Sequence, residues 1–201
     1  MGTKKYKLTE ETIIVIDKSL YRIEALKDFG NVKKGDKGGF VENEDNLSQY
    51  DDCWIYDNAK IYGNAQVCGD AVIYGNAKVY GNAKVYDNAQ VYNYANVFED
   101  AKVYGNAKVY GNANVHGDAK VYGHAEVYGN ARVFDNGEVF GNAKVYHYGD
   151  VCGKVRICGD AKIRGLNDYI VFENWWGSGR CCTLIKSNNM VRVVSMERES
   201  N

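Results

Sequence analysis

A branched aliphatic residue, Val or Ile, recurs at every sixth position from Ile55 to Ile163 without interruption. Two positions before each stands a small residue, nearly always Ala; the departures are Cys53, Gly137, Gly149 and Val155. The consensus hexad reads V-Y-G-N-A-K. A period of six matches neither one face of an α-helix nor a heptad seam. It suits a short strand followed by a tight corner. Along A-K-V-Y, strand alternation puts Ala and Val on one side and Lys and Tyr on the other. Gly-Asn then turns the chain, since both residues tolerate positive φ. Three such units close a triangular coil, and stacked coils bury Val, Ile and Ala in a parallel β-solenoid. The unbroken series predicts about six coils and, at ~4.8 Å per coil, a prism about 29 Å long.

The repeat accounts for an unusual composition. The 201 residues include 17 Tyr against 6 Phe, and no Pro. Pro would remove ladder donors from the strands, and most of the Tyr fills one hexad position. The lack of Pro excludes collagen and Pro-rich linkers. A hydrophobic fraction of 45% is too rich for a disordered chain. With 25 Lys and Arg against 26 Asp and Glu, nothing supports a chain-wide attraction to nucleic acid or an acidic membrane. The start, MGTKKYKLTEET, has no secretory apolar core, and apolar runs such as Ile13–Ile16 are too short to span a bilayer. Six cysteines without a CxxC pair lead us to expect a reduced, cytoplasmic protein.

The hexad resembles that of the bacterial hexapeptide-repeat family, in which an aliphatic residue is followed four positions later by a small one. The resemblance covers about residues 53–165. It implies a left-handed parallel β-helix, assembly into trimers with parallel prisms, and acyl transfer with coenzyme A along the prism. One position departs: the residue after the aliphatic one is usually small in the family and usually Tyr here.

Folding the series by eighteen gives three faces. The first carries the outward row Tyr56, Tyr74, Tyr92, Tyr110, Tyr128 and Tyr146, an expected uninterrupted ladder and the candidate binding or interface surface. The second carries Tyr62, Tyr80, Phe98, His116, Phe134 and Cys152, and the third Cys68, Tyr86, Tyr104, Tyr122, Phe140 and Cys158. Such ladders can stabilise their own sheets, meet a partner subunit, or bind a ligand through rings and Lys. Residues 55–165 hold 12 basic and 11 acidic residues, the bases mostly in strand positions and the acids at corners.

An open solenoid needs covered ends. We expect an N-terminal β cap over residues 1–52, with strands at Thr12–Asp17 and Leu20–Leu26. The solenoid then spans 53–165. A small antiparallel β cap follows over 166–201, with strands at Tyr169–Trp176, Cys181–Lys186 and Met190–Met196. Turns are expected at Gly177–Arg180 and Ser187–Asn189, and one of Trp175 and Trp176 should be buried. The segment with Asp28-Phe29, Val32, Gly35, Gly38-Gly39-Phe40-Val41, Asn46-Leu47-Ser48 and Cys53-Trp54-Ile55 is similar to the start of bacterial and prophage-borne hexapeptide-repeat proteins described only as transferases. A role in phage–host interplay is conceivable on that ground, but no residue establishes one.

Family enzymes use a His as general base where subunits meet. The only imidazoles here are His116, His124 and His147, and each is read first as replacing a rung or corner residue. The hexad also carries no inserted loop to build an acceptor pocket. Three shared His ligands for zinc, as in the family's carbonic anhydrases, do not fit this spacing, and neither Cys152 with Cys158 nor Cys181 with Cys182 reads as a metal or redox site. The leading expectation is a non-catalytic binding or scaffold protein, homo-oligomeric, with no metal or cofactor and a protein or small-molecule ligand. The alternative is an acetyl-coenzyme A-dependent acyltransferase based on His116, His124 or His147.

Overall fold

The computed structural model describes residues 4–172, 180–187 and 190–198. Among the described residues the chain is all-β apart from single 3-10 turns at Glu44–Asn46 and Leu166–Asp168. Two-residue strands follow one another at the hexad spacing from Trp54–Ile55 to Lys162–Ile163. Each pairs in parallel with the strand eighteen residues away, as Val91 pairs with Ile73 below and Val109 above. Three parallel sheets result, one per face. Val or Ile and, except for Ala161, the Ala two positions before it are buried along the axis, while the outward rings are half-buried apart from the buried Tyr62. The bore is narrow enough that one branched and one small side chain per strand fill it.

The ladder starts before the hexad does. Val41 pairs with Ile61, and Leu47 pairs with Val67. Val41, Leu47 and Ile55 therefore form a first turn, and the solenoid has about seven turns rather than six. The chain between Leu47 and Ile55 is two residues longer than a hexad, which takes this turn out of the period. The turns are numbered one to seven from this end.

Strands β1 (Tyr6–Val15), β2 (Lys18–Ala25) and β3 (Lys37–Val41) precede the repeat. They are antiparallel to one another, and β3 passes the second face's sheet on to Lys60–Ile61 in parallel. Both hairpin strands begin upstream of the positions expected. Leu20, Phe40 and Tyr62 form a buried cluster with Ile13 and Val15 against it, so the hairpin covers the start of the second face. On the first face, Tyr6 and Phe29 pack edge-on against Trp54 at 6.2 and 5.3 Å. Trp54, which occupies an outward hexad position, is buried for that reason.

The corners differ from expectation in one respect. The first corner residue takes positive φ, from Gly63 at 69° to Gly159 at 63°, but the Asn after it does not. Asp57, Asp87, Asn93, Glu99, Asp135 and His147 stand in this strained position with φ of 54–60°. Asp57, Asp87 and Glu99 each accept a hydrogen bond from the corner N–H one turn on, at Gly75, Gly105 and Gly117 (2.9, 3.0 and 2.7 Å). Along each edge every one of the six is followed one turn later by Gly. An added Cβ at such a corner meets the next turn's backbone, as at Gly111 against the Gly129 nitrogen at 2.9 Å.

Beyond the last turn, Tyr169–Phe172, Arg180–Ser187 and Met190–Arg198 form a three-stranded antiparallel sheet. The Tyr169 hydroxyl donates to the Asp150 carbonyl at 2.7 Å. Trp175, Trp176 and most of both expected turns lie outside the described residues.

Candidate functional site

The outward rings form three stacks. On the first face, Tyr74, Tyr92, Tyr110 and Tyr128 follow one another at 4.6–4.8 Å between centroids, and Tyr146 follows at 5.4 Å. Among the described residues this stack begins at Tyr74; Tyr56 packs against the core instead, beside the Trp54 cluster. On the second face Tyr62, Tyr80, Phe98, His116 and Phe134 stack in order, and on the third Tyr86, Tyr104, Tyr122 and Phe140.

Neighbouring planes lie within 6° of parallel in all but the last rung of the first face. The faces of the inner rings are therefore occupied by one another. Each ladder shows solvent ring edges and hydroxyls rather than open π faces, so the inner rungs offer no platform for stacking a base or a sugar. Partial burial pushes the hydroxyls of Tyr74, Tyr86, Tyr92 and Tyr104 upward in pKa, and that of Tyr62 to about 12. They stay protonated donors at neutral pH.

Beside each ladder runs a strand-position row whose charge alternates only in the later turns. On the first face Glu126 accepts from Lys144 at 3.0 Å and from the Tyr110 hydroxyl at 3.1 Å. On the third, Glu138 pairs with Lys120 below and Arg156 above, each at 3.0 Å. On the second, Asp150 accepts from Arg132 through two nitrogens. Apart from Trp54 and Val72 on the first face, earlier turns hold only bases or amides in these rows. On the third face Lys84, Lys102 and Lys120 lie in direct register.

The structure does not bring the three imidazoles together. His116 is a rung between Phe98 and Phe134, with Nδ1 3.5 Å from a Glu99 carboxylate oxygen. That oxygen also accepts from the Gly117 N–H. His124 occupies a corner between the third and first faces, where its backbone N–H donates to the Gly141 carbonyl. His147 sits at the corner after Tyr146, in the positive-φ position. No cluster of three His, Cys, Asp or Glu side chains able to hold a metal exists among the described residues.

Three features escaped sequence reasoning. Tyr94 and Tyr148 replace corner Asn residues on one edge and stand 62% and 73% exposed, with hydrogen-bonded Asn112 and Asn130 between them. Their signal was the break in the Asn column. Lys5 is buried, its ammonium donating to the Asp51 and Cys53 carbonyls at 2.5 and 2.9 Å and lying 3.4 Å from the Cys53 sulfur. Burial lowers the Lys5 pKa and pushes the Cys53 thiol up to about 11, which makes that thiol a poor nucleophile. Cys53 stands out as a departure from the hexad's Ala, but no hexad position announces Lys5. The acidic rungs at Glu126, Glu138 and Asp150 were visible as departures from Lys, but their bridging role follows from register alone.

No described helix is long and apolar enough to cross a membrane. Residues 65–81, just under one turn, match the YdcK beta solenoid repeat family. No curated protein matches the chain. The match and the coordinates agree on a parallel β-solenoid, and the chain is similar to that repeat over the stretch from Ala65 to Gly81.

Proposed function

We propose that this protein is a non-catalytic scaffold whose ladders present a rigid, ribbed surface to other copies of the chain and to an external ligand. One observation carries the reading: the stack from Tyr74 to Tyr146 makes a continuous half-buried aromatic strip along one side of the prism. Long exposed strips of this kind are ordinarily covered by a partner. The hexad's resemblance to that of hexapeptide-repeat proteins favours a left-handed coil and a trimer with parallel prisms, in the cytoplasm. The strands before and after the repeat serve, in this reading, as caps that keep the end turns from pairing with other sheets.

Sedimentation velocity tests the proposal directly. The intact chain should sediment as a trimer. Replacing Tyr92, Tyr110 and Tyr128 together with Ser should shift it toward monomer while the far-ultraviolet β signal stays. A native chain that is monomeric at every concentration overturns the interface reading, and so does a Ser variant that loses stability without changing its assembly.

A further inference from the structure

Each edge of the prism carries a column of corner residues, and one edge is bonded differently from the other two. Between the first and second faces, and between the third and first, the second corner residue donates its N–H to the corner carbonyl one turn on. Asn76 to Asn93, Asn112 to Gly129, Asn106 to Gly123 and Asn142 to Gly159 do so at 2.7–2.8 Å. Between the second and third faces Asn82 makes this bond, whereas Asn64, Asp100, Asp118 and Asn136 do not. Side chains partly replace it: the Asn64 amide donates to Asn82, and that of Asn82 to Asp100, both at 3.0 Å. Asn136 has neither kind of bond. It is exposed, and its side chain has no hydrogen-bond partner among the described residues.

The residue after it is unusual too. Asn136-Gly137 is the only Asn-Gly pair in the sequence; every other Asn in the second corner position precedes Ala. An Ala side chain screens its own backbone nitrogen from the side chain before it, and Gly leaves that nitrogen open. The Gly137 N–H donates to the Phe134 carbonyl at 3.0 Å and so closes the corner. With no bond from Asn136 to the next turn, opening this corner costs that hydrogen bond alone. Opening also relaxes Asp135, which is held in left-handed backbone at φ 55°.

We infer that Asn136 is a modification site, where the folded chain converts its side-chain amide to aspartate and isoaspartate through an imide with Gly137. The Gly137 nitrogen, its proton lost to solvent base, attacks Cγ of Asn136. The N–Cγ bond forms, the Cγ–Nδ2 bond breaks, and ammonia leaves with a proton. Water then opens the five-membered imide on either side. Cleavage at Cγ gives aspartate; cleavage at the backbone carbonyl gives isoaspartate, in which the chain runs through Cγ. Either product adds a carboxylate to an edge that already holds Glu99, Asp100, Asp118 and Asp135, with Asp118 one turn away in the same column. Isoaspartate also lengthens by one methylene the link between the strands Arg132–Val133 and Glu138–Val139. The last two turns then lose register with those before them. This edge lies opposite the first-face ladder, and the inference does not depend on what covers that ladder.

The test holds the full chain at physiological temperature in mildly alkaline buffer, folded and, in parallel, unfolded in guanidinium. Fragmentation mass spectrometry follows each corner Asn. Methyl transfer from S-adenosylmethionine by a protein isoaspartyl methyltransferase reports isoaspartate. In the folded chain Asn136 should gain the mass of an amide-to-acid change and become a methyl acceptor, several-fold faster than Asn130 or Asn142. Asn136→Gln, with no hydrogen bond to lose, should melt with the native chain and lose the methyl signal at this position. The modified chain should melt below the Asn136→Asp variant, which adds the charge without the extra methylene. An Asn136 that changes in guanidinium but not in the folded chain overturns the site, as does one that changes in neither. Asn130 or Asn142 changing equally fast overturns the role given to Gly137 and the open corner. A modified chain that melts with Asn136→Asp overturns the loss of register.

Discussion

In turns two to seven, stacking rests on a repeated backbone ladder. Val109 meets Val91 and Val127, the corner N–H of Asn112 donates to the Gly129 carbonyl, and the next hexad repeats the pattern. The first turn lies in the same parallel register, yet side chains close it. Asn46 is buried and makes four hydrogen bonds. Its amide donates to the Gly63 and Ala65 carbonyls, both at 2.9 Å, and its oxygen accepts from the Glu42 and Asn43 N–H groups. The Tyr6 hydroxyl donates to the Leu47 carbonyl, Lys5 to those of Asp51 and Cys53. A turn with neighbours on both sides can be generic. The turn at the end must satisfy its irregular chain with residues that serve no other place. Damage should therefore be concentrated in the first turn and diluted in the repeat.

The largest expected effect follows from Asn46→Leu. It strips four backbone groups of their partner in a buried site, at roughly 1–3 kcal/mol for each group left unsatisfied. A loss of about 3 kcal/mol or more in urea unfolding should result, with the first turn losing amide protection before the others. Val109→Ala in turn four comes next. It removes buried methyl groups from a site that its neighbours partly close, costing about 2 kcal/mol. If Val109→Ala proves costlier than Asn46→Leu, the contrast between end and repeat collapses.

A smaller test concerns corners within the repeat. Gly75 stands between Asp57 and Asn93 on its edge, whereas Gly123 stands between Gly105 and Gly141. An added Cβ meets the next turn's backbone at 3.1 Å in both places. At Gly75 the new side chain also enters the space where the Asp57 carboxylate reaches the corner N–H. Gly75→Asn should cost about 1 kcal/mol more than Gly123→Asn, beyond the left-handed strain both share. Equal cost would show that alternation with Gly along each edge has no steric meaning.

How much of this was legible in the sequence divides along the same line. The three faces, the buried Val and Ala, the outward Tyr and Lys, and the all-β solenoid follow from period and alternation, because backbone register alone sets them. The first turn does not, because Val41, Leu47 and Ile55 are unevenly spaced and held by Lys5, Tyr6 and Asn46 from outside the hexad. Trp54 shows the same limit: its position predicts exposure, and Phe29 and Tyr6 override it. On the ladders, the residues were readable but ring orientation was not. Parallel stacking at 4.6–4.9 Å, not composition, removes the ring faces from ligand chemistry.

The smallest expected effect separates the two regions by pH. Burial holds the Cys53 thiol protonated, raising its pKa from 9.0 to about 11, and raises Tyr62 from 10.0 to about 12. In both cases the folded state keeps a proton that the unfolded chain sheds. The stability involved is fully present below the unfolded pKa and is lost as pH climbs through the folded one. For Cys53 that window runs from pH 9 to 11, and for Tyr62 from 10 to 12. Lys5 acts with the opposite sign: burial lowers its pKa, so the unfolded chain binds the extra proton and stability rises with pH below 10.5. Cys53→Ala restores the hexad's usual small residue and removes only the thiol. Its urea midpoint should therefore hold steady or rise slightly between pH 9 and 10, where the native midpoint falls. Above pH 10 both should fall, because the unfolded chain's Tyr62 ionises while the folded one keeps its proton, the native chain more steeply until pH 11. Superimposed curves across the whole range would place the alkaline transition entirely in the ladders and detach the Lys5–Cys53 pair from the stability of the first turn.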